Sequence, residues 1–240
     1  MRTFFMSAIL LLSLCGAGAA AARQDEPRRL LDPSLVPASG REPREFVPRG
    51  WKTETDAGLV TGDLNKDGAA DAVLRLVEDV PVENAEGVLN MRARALVVLL
   101  AQPGGGYKRA AVANRLVGCA GCHGVLGDPE GGNIQVEIKN GVLNVNQLSG
   151  SREATDLTQR FRYDAASGRF RLIGEDVSEY DRAAGGGKST STNYLTGVRI
   201  VKTSKPLRGG RESNSTKTTR VPVKSRFIED VDYEQGWEER

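Results

Sequence analysis

Short apolar runs separated by turn signals constrain the fold of this 240-residue chain more than any other feature. Apolar and polar residues alternate over 134–138 and again over 142–146, and Asn140-Gly141 stands between the two runs. Alternation with a period of two predicts strands with one buried face, and Asn-Gly between such runs is the strongest short-range hairpin signal. The sequence therefore predicts an antiparallel hairpin at this point.

More strands are predicted on both sides of this hairpin, because short runs rich in Val, Leu and other β-formers recur between polar or glycine-rich segments. These runs are 72–78, 95–101, 107–112, 157–163, 169–173, 194–203 and 219–228, with a flexible stretch over 204–218. No segment shows a convincing helical period. The predicted fold is mostly β, with antiparallel sheets in a sandwich-like or partial-propeller-like arrangement and little helix.

Composition divides the chain into four parts. Residues 1–22 carry Arg2, an apolar run and then small residues, which predicts a signal peptide and export to the periplasm or beyond. The apolar run is too short to span a bilayer, so no transmembrane segment is predicted. Leu14 precedes Cys15 where lipidation calls for a small residue, so we do not expect a lipoprotein.

The remaining three parts are a flexible leader, a β domain and a C-terminal extension. Residues 23–45 are rich in Pro, Arg and Glu and are interpreted as the leader. We expect the β domain over 46–178, and over 179–240 C-terminal strands or a hairpin with a flexible basic tip. Between Lys188 and Arg226 stand ten Lys or Arg residues and one acid, Glu212.

The basic C-terminal segment is interpreted as a solvated, aggregation-blocking edge. Contact with an acidic polymer is the alternative, but its basic residues are dispersed and have no aromatic stacking groups beside them. The net charge of the whole chain is only +2, so no nucleic-acid partner is expected. The sequence leaves the partner unknown, with a protein or a polysaccharide both open.

Oxygen-bearing side chains alternate along residues 62–71, Gly-Asp-Leu-Asn-Lys-Asp-Gly-Ala-Ala-Asp. This spacing is typical of a loop that wraps a calcium ion, with Gly68 allowing the sharp turn. The candidate ligands are the side chains of Asp63, Asn65, Asp67 and Asp71 and the backbone carbonyl of Ala69. An EF-hand would need an acid at the twelfth loop position, which is Leu74, so that alternative fails.

The spacing Asp-x-Asn-x-Asp-Gly-x-x-Asp resembles the calcium loops of FG-GAP and VCBS-type repeats, which occur in integrin-like β-propellers. The resemblance covers about a dozen residues and implies an ion that bridges two strands. The loop occurs once in this chain, whereas propellers repeat it, so a full propeller is not expected. A polar turn held by Asx hydrogen bonds alone is the alternative to a calcium site.

A cysteine pair forms the second candidate site. Cys119-Ala-Gly-Cys122-His123 matches the attachment signature of c-type haem, in which both thiols bond to the haem and His123 is the axial iron ligand. The distal coordination position of the iron would then be filled by Met91 or by a lysine, or it would be left open. A disulfide-bonded or structural loop is the other interpretation, and three ligands are too few for a closed zinc site.

Short motifs in a fixed order span most of the mature chain. They are Pro48-Arg49-Gly50-Trp51, Gly62-Asp63-Leu64-Asn65, Cys122 with Gly127-Asp128-Pro129, Asn140-Gly141, Gly150-Ser151, Phe161-Arg162-Tyr163 and Asn193-Tyr194-Leu195-Thr196-Gly197. In this order they resemble a group of uncharacterised exported bacterial proteins. In that group glycines typically follow the cysteine, so the resemblance implies that His123 is a departure and favours the disulfide or structural loop.

The chemistry of the chain favours binding over catalysis. His123 is the one histidine, and no phosphate-binding loop or dinucleotide fingerprint is present. Asp128-Pro129 and Glu175-Asp176 are interpreted as turn and loop acids. We therefore predict an exported calcium-binding β domain with a binding or structural role. A periplasmic monohaem electron carrier is the alternative, and a hydrolase is a third candidate if acids line a cleft elsewhere.

Overall fold

The computed structural model describes residues 29–54, 58–80, 91–128 and 131–235. The predicted signal peptide therefore lies outside the described residues. The fold is mostly β and antiparallel, as predicted, with two sheets and only short 3-10 turns of helix in the described part. Thirteen strands run through it: β1 (Ser39–Gly40), β2 (Trp51–Thr53), β3 (Leu59–Gly62), β4 (Asp71–Glu78), β5 (Arg94–Ala101), β6 (Tyr107–Ala113), β7 (Ile134–Lys139), β8 (Val142–Gly150), β9 (Glu153–Asp164), β10 (Arg169–Asp181), β11 (Gly187–Asn193), β12 (Val198–Pro206) and β13 (Glu212–Arg220).

The first sheet has the order β1-β6-β5-β4-β2, and β3 also pairs with β4. Its central strands, β4 and β5, are buried on both faces and are mostly apolar because both faces are covered. On one face, Leu74, Leu76 and Val97 belong to a hydrophobic core. The N-terminal segment covers this core on its solvent side. The other face points toward the second sheet.

The second sheet is a continuous meander from β7 to β13 and curls into half a barrel. Its first hairpin confirms the prediction at Asn140-Gly141, where both residues have positive φ, 55° and 75°. Positive φ at both central positions matches the right-handed twist of the flanking strands. Strand β8 then alternates strictly between half-buried and buried residues, as its sequence pattern predicts.

The two sheets meet face to face across the main hydrophobic core. The first sheet contributes Val73, Leu96 and Val98, and the second contributes Val145 and Phe161. Burial of these apolar side chains, at about 25 cal/mol per Å² removed from water, is the largest stabilising contribution to the fold. The arrangement is the sandwich-like form of the predicted architecture.

The N-terminal segment differs from the expected flexible leader over residues 29–45. Leu31 and Val36 are buried against the outer face of the first sheet, beside Phe46. Asn114 Nδ2 donates to the Leu31 carbonyl at 2.8 Å, which fixes the segment to the sheet. The sequence of this segment is rich in proline and has only scattered apolar residues, so it does not indicate this packing. The apolar face that these residues cover exists only after the sheet has folded.

The C-terminal part also differs from the sequence prediction. Residues 204–218, expected to be flexible, form the end of β12 and most of β13, so the predicted mobile tip shrinks to the turn between these strands. Residues 221–226, expected to be a strand, form an extended segment outside the sheet. Strand β10 runs through the predicted domain boundary at 178, and Glu175-Asp176 lies inside it and not in a loop.

In the described part of the chain, no helix is long and apolar enough to cross a membrane.

Candidate functional site

The acidic loop joins β3 to β4 and is built around the carboxylate of Asp63. Oδ1 of Asp63 accepts hydrogen bonds from the backbone N–H of Lys66 at 2.6 Å and of Asp67 at 3.2 Å, and Oδ2 accepts one from Gly68 at 3.0 Å. Gly68 has φ +87°, a left-handed conformation that L side chains rarely adopt. The loop thus winds tightly around its first acid.

Asp71 closes the loop from inside the protein. Its side chain is 0% exposed, and its Oδ2 accepts from the N–H of Leu64 at 2.8 Å and of Asn65 at 3.4 Å. Oδ1 accepts from Ala101 N–H at 2.8 Å, at the end of β5. Burial is the largest influence on this group and raises the pKa of the Asp71 carboxyl, against the opposing effect of the amide donors.

Asn65 and Asp67 form the outer rim of the loop. Asn65 Nδ2 donates to Asp67 Oδ2 at 2.8 Å, and Ala69 N–H donates to Asp67 Oδ1 at 2.8 Å. The Ala69 hydrogen bond, followed by the Asn65 one, lowers the pKa of Asp67. In this rim Asp67 is exposed and Asn65 is half-buried, whereas Asp71 is fully buried.

The chemistry of the loop fits a hard cation, but its present arrangement is closed by hydrogen bonds. A carboxylate offers about four lone-pair sites, so each acid still has at least one that no amide uses. Carboxylate, amide and carbonyl oxygens are the ligands that calcium prefers. Over the described ranges, however, no group of three Asp, Glu, His or Cys side chains is positioned to hold a metal ion. Binding an ion therefore requires the rim side chains to turn inward.

The loop lies where the first sheet meets the β7–β8 hairpin of the second. A Cβ placed on Gly62 would lie 2.7 Å from Ile138 Cγ2 on β7. A Cβ placed on Gly141, in the hairpin turn, would lie 2.7 Å from Lys66 Cε of the loop. Gly62 is needed because β7 approaches it this closely, whereas Gly141 is needed for its positive φ of 75°, since the end of the Lys66 side chain can move aside. The loop is part of the junction between the two sheets.

The cysteine pair lies in the loop between β6 and β7, and Cys119 and Cys122 are joined by a disulfide. His123 is 0% exposed, and its ring lies 5.1 Å from that of Tyr233. Its Nε2 lies 3.3 Å from Oε1 of Gln147, a buried side chain on β8. The disulfide interpretation of the pair is thereby supported.

Haem attachment would need a different arrangement of the same residues. Both sulfurs would have to bond to the haem instead of to each other, and His123 would have to leave its contacts with Gln147 and Tyr233 to reach iron. Met91 Sδ lies 3.7 Å from Cys119 Sγ, beside the disulfide. The described geometry thus places these residues in a packed structural loop.

A buried ionic cluster was missed by sequence reasoning. Glu54 is 4% exposed, and its Oε2 lies 2.8 Å from Arg75 Nη2 and its Oε1 2.5 Å from Arg94 Nε. The two arginines also donate to backbone carbonyls in the segment from Cys119 to Ile134. An arginine inside the apolar run of β4 was the available signal, since a charge there is buried only with a partner.

The second sheet carries a cavity of about 350 Å³ that no sequence motif indicated. It is lined from β9 to β12 and covered by the extended segment after β13. Two acids, Glu175 and Asp232, are among its lining residues. Glu175 accepts hydrogen bonds from Gln159 and Tyr194, and Asp232 pairs with Arg115 at 3.1 Å.

Comparison with known proteins adds no family to this geometry. No family model, curated protein or solved structure matches the chain. The resemblance of residues 62–71 to FG-GAP and VCBS-type calcium loops, and that of the mature chain to exported bacterial proteins, therefore stay predictions.

Proposed function

We propose that this chain is an exported β domain with a binding or structural role, in which calcium bound by the acidic loop stabilises the junction of the two sheets. The observation that carries the proposal is the position of the loop. Asp71 is fully buried at the start of β4, while Gly62 and Lys66 contact β7 and the β7–β8 turn. An ion bound here would tie three chain segments together. Export is supported by the pattern of residues 1–22.

The ligands would be the carboxylates of Asp63, Asp67 and Asp71, the amide oxygen of Asn65 and the carbonyl of Ala69. Asn65 now directs its amide nitrogen to Asp67, so binding requires that amide to turn. Calcium would neutralise three acids held within nine residues of chain. It would also offset the cost of ionising Asp71 in a buried position, because a nearby cation favours the charged form.

A loop that must rearrange on binding suits calcium at extracellular concentrations. Extracellular calcium modules have Kd values of about 0.1–1 mM. At 10–100 times Kd, a ligand that binds only the folded state stabilises it by about 1.4–2.7 kcal/mol. For a domain of 150–250 residues this raises Tm by about 3–10 °C.

The test is thermal unfolding of the mature chain after treatment with chelator, with and without about 10 mM calcium. This concentration exceeds the expected Kd by about an order of magnitude or more. Asp67→Asn keeps an acceptor for Ala69 N–H but removes the charge, so it should lose the calcium-dependent rise in Tm. Asp79→Asn is the matched control, because Asp79 follows the other end of β4 and its side chain is 58% exposed.

Asp79→Asn should retain the full calcium response. Magnesium at the same concentration should give a smaller shift, because it demands near-octahedral geometry that a rearranging loop of this kind does not supply. An unmutated protein whose Tm does not change with calcium would sink the proposal, as would an Asp67→Asn protein that responds as strongly as the unmutated one.

A further inference from the structure

A row of polar side chains crosses the inner face of the second sheet. Cross-strand pairing places Gln159 of β9 opposite Glu175 of β10, Glu175 opposite Thr192 of β11, and Thr192 opposite Arg199 of β12. Residues directly opposite in an antiparallel sheet share a face. The row is flanked on β8 by Val145, a member of the main core, so these polar groups continue a surface that is otherwise apolar.

A β-bulge in β10 directs Glu175 onto this inner face. Leu172 pairs with Phe161 and Gly174 pairs with Arg160, so β10 uses one more residue than β9 between these pairs. Without the extra residue, strict alternation from Leu172 would have turned Glu175 to the outer face. Bulges are common beside functional sites, where they redirect a side chain.

The polar row is held in place by internal hydrogen bonds. Gln159 Nε2 donates to Glu175 Oε2 at 2.8 Å, and Tyr194 OH donates to Glu175 Oε1 at 3.4 Å. Arg199 Nε donates to Thr192 Oγ1 at 3.1 Å. Gln159 is 2% exposed, and its Oε1 accepts no hydrogen bond in the described part of the chain. Buried acceptors without a partner are rare, and a donor from a bound molecule or water commonly completes them.

The extended segment after β13 covers the row and encloses the cavity. It is fixed at its far end, where Leu172 N–H donates to the Arg226 carbonyl at 2.8 Å. It brings Lys224 and Arg226 to the cavity, beside Arg199 from β12. The cavity is bordered by three basic side chains, those of Arg199, Lys224 and Arg226, and by two acids, Glu175 and Asp232. Both acids already have partners, because Glu175 accepts from Gln159 and Tyr194 and Asp232 pairs with Arg115. The basic groups at the cavity therefore outnumber the acids by one.

We propose that this cavity binds a small hydroxylated carboxylate, of the size and kind of a uronic acid unit. The ligand carboxylate would pair with Arg199, Arg226 and Lys224, and its hydroxyl groups would hydrogen-bond along the row of Gln159, Glu175 and Tyr194. A volume of about 350 Å³ lies at the lower end of small-ligand sites, which suits one sugar-sized molecule. The proposal is independent of calcium, because the cavity lies on β9–β12 whereas the acidic loop contacts β7 and the hairpin turn.

The test is an amide NMR titration of the mature chain with D-glucuronate in calcium-free buffer. Saturable shifts should appear at the amides that line the cavity, with a Kd of about 1 mM for a ligand of this size. D-glucose, which lacks the carboxylate, should bind at least about tenfold more weakly, because it loses a charge-assisted interaction. L-alanine, which carries an ammonium group in place of hydroxyls, should also bind more weakly than glucuronate.

Arg199→Gln should raise the Kd for glucuronate by at least about tenfold. Lys202→Gln is the matched control, because Lys202 lies on the same strand but on the opposite face, and it should leave Kd within about twofold. Arg226→Gln provides the same test from the covering segment if Arg199→Gln does not fold. The proposal is overturned if glucuronate gives no saturable shift by 20 mM, about twenty times the expected Kd. It is also overturned if glucose or alanine binds as well, or if Lys202→Gln weakens binding as much as the cavity variants do.

Discussion

Glu54→Gln should destabilise the protein more than any single substitution of an exposed acid, because it removes a negative charge that two buried guanidinium groups share. Glu54 accepts from Arg75 Nη2 at 2.8 Å and from Arg94 Nε at 2.5 Å. Both arginines are almost fully buried. Burial lowers the pKa of Arg94, which reflects the cost of holding a positive charge there.

The magnitude follows from the two contacts that are lost. A hydrogen bond to a charged group contributes about 1.5–3 kcal/mol, and removing one partner of a buried ion pair costs about 3–5 kcal/mol. The substitution keeps the shape of the side chain, so the cost is electrostatic and leaves no cavity. We expect the free energy of unfolding to fall by about 3–5 kcal/mol, out of the 5–15 kcal/mol typical of a domain. Tm should fall by about 6–20 °C.

The assay is equilibrium unfolding in guanidinium chloride at pH 7, with the m-value compared between variants. Glu42→Gln is the control, because Glu42 pairs with Arg44 on the surface, where the two side chains are 55% and 81% exposed. It should change stability by less than about 0.5 kcal/mol. A Glu54→Gln protein within about 1 kcal/mol of the unmutated one, at unchanged m, would refute the reasoning about the buried cluster.

Four further variants test the disulfide, the hairpin turn and the buried acid of the loop. Replacing Cys119 and Cys122 together by Ala should lower the free energy of unfolding by about 2 kcal/mol, which is the loop-closure entropy expected for so short a loop. As a control, the unmutated protein in reductant should melt at the same temperature as this variant. Gly141→Ala should cost about 1–2 kcal/mol in a melting experiment, because φ is +75° there, whereas Gly174→Ala should cost less, because its Cβ would meet nothing closer than 3.6 Å. Burial raises the pKa of Asp71 in the folded state above the ordinary value of 3.8. The protonated Asp71 side chain therefore contributes its full stability below pH 3.8, and this stability is lost as the pH rises through the folded-state pKa. In calcium-free buffer, the stability of Asp71→Asn relative to the unmutated protein should therefore increase as the pH is raised from about 4 to 7. A difference in free energy of unfolding that does not change with pH would contradict this prediction.

The sequence predicted the elements whose signals are local. The β7–β8 hairpin follows from Asn140-Gly141 and the alternation on either side, and β4 and β5 follow from continuous apolar runs. The tight acidic loop follows from the Asp and Gly spacing. In each case neighbouring residues carry the information, because turn chemistry and strand periodicity operate over a few positions.

The parts that the sequence did not predict depend on contacts between distant segments. Leu31 is buried only because the first sheet offers it an apolar face. Strands β11 and β13 are rich in Ser, Thr and Asn and form because each extends an existing sheet. Glu175 reaches the inner face through a bulge that no local pattern marks, so the cavity could not be predicted from the sequence.

The most direct test of the central claim is native mass spectrometry of the mature chain, stripped with chelator and returned to about 1 mM calcium, which is near the top of the expected Kd range. The account predicts one calcium ion per unmutated chain and none above background on Asp67→Asn. Equal calcium occupancy on both proteins, or none on either, would contradict the assignment of the loop between β3 and β4 as a calcium site.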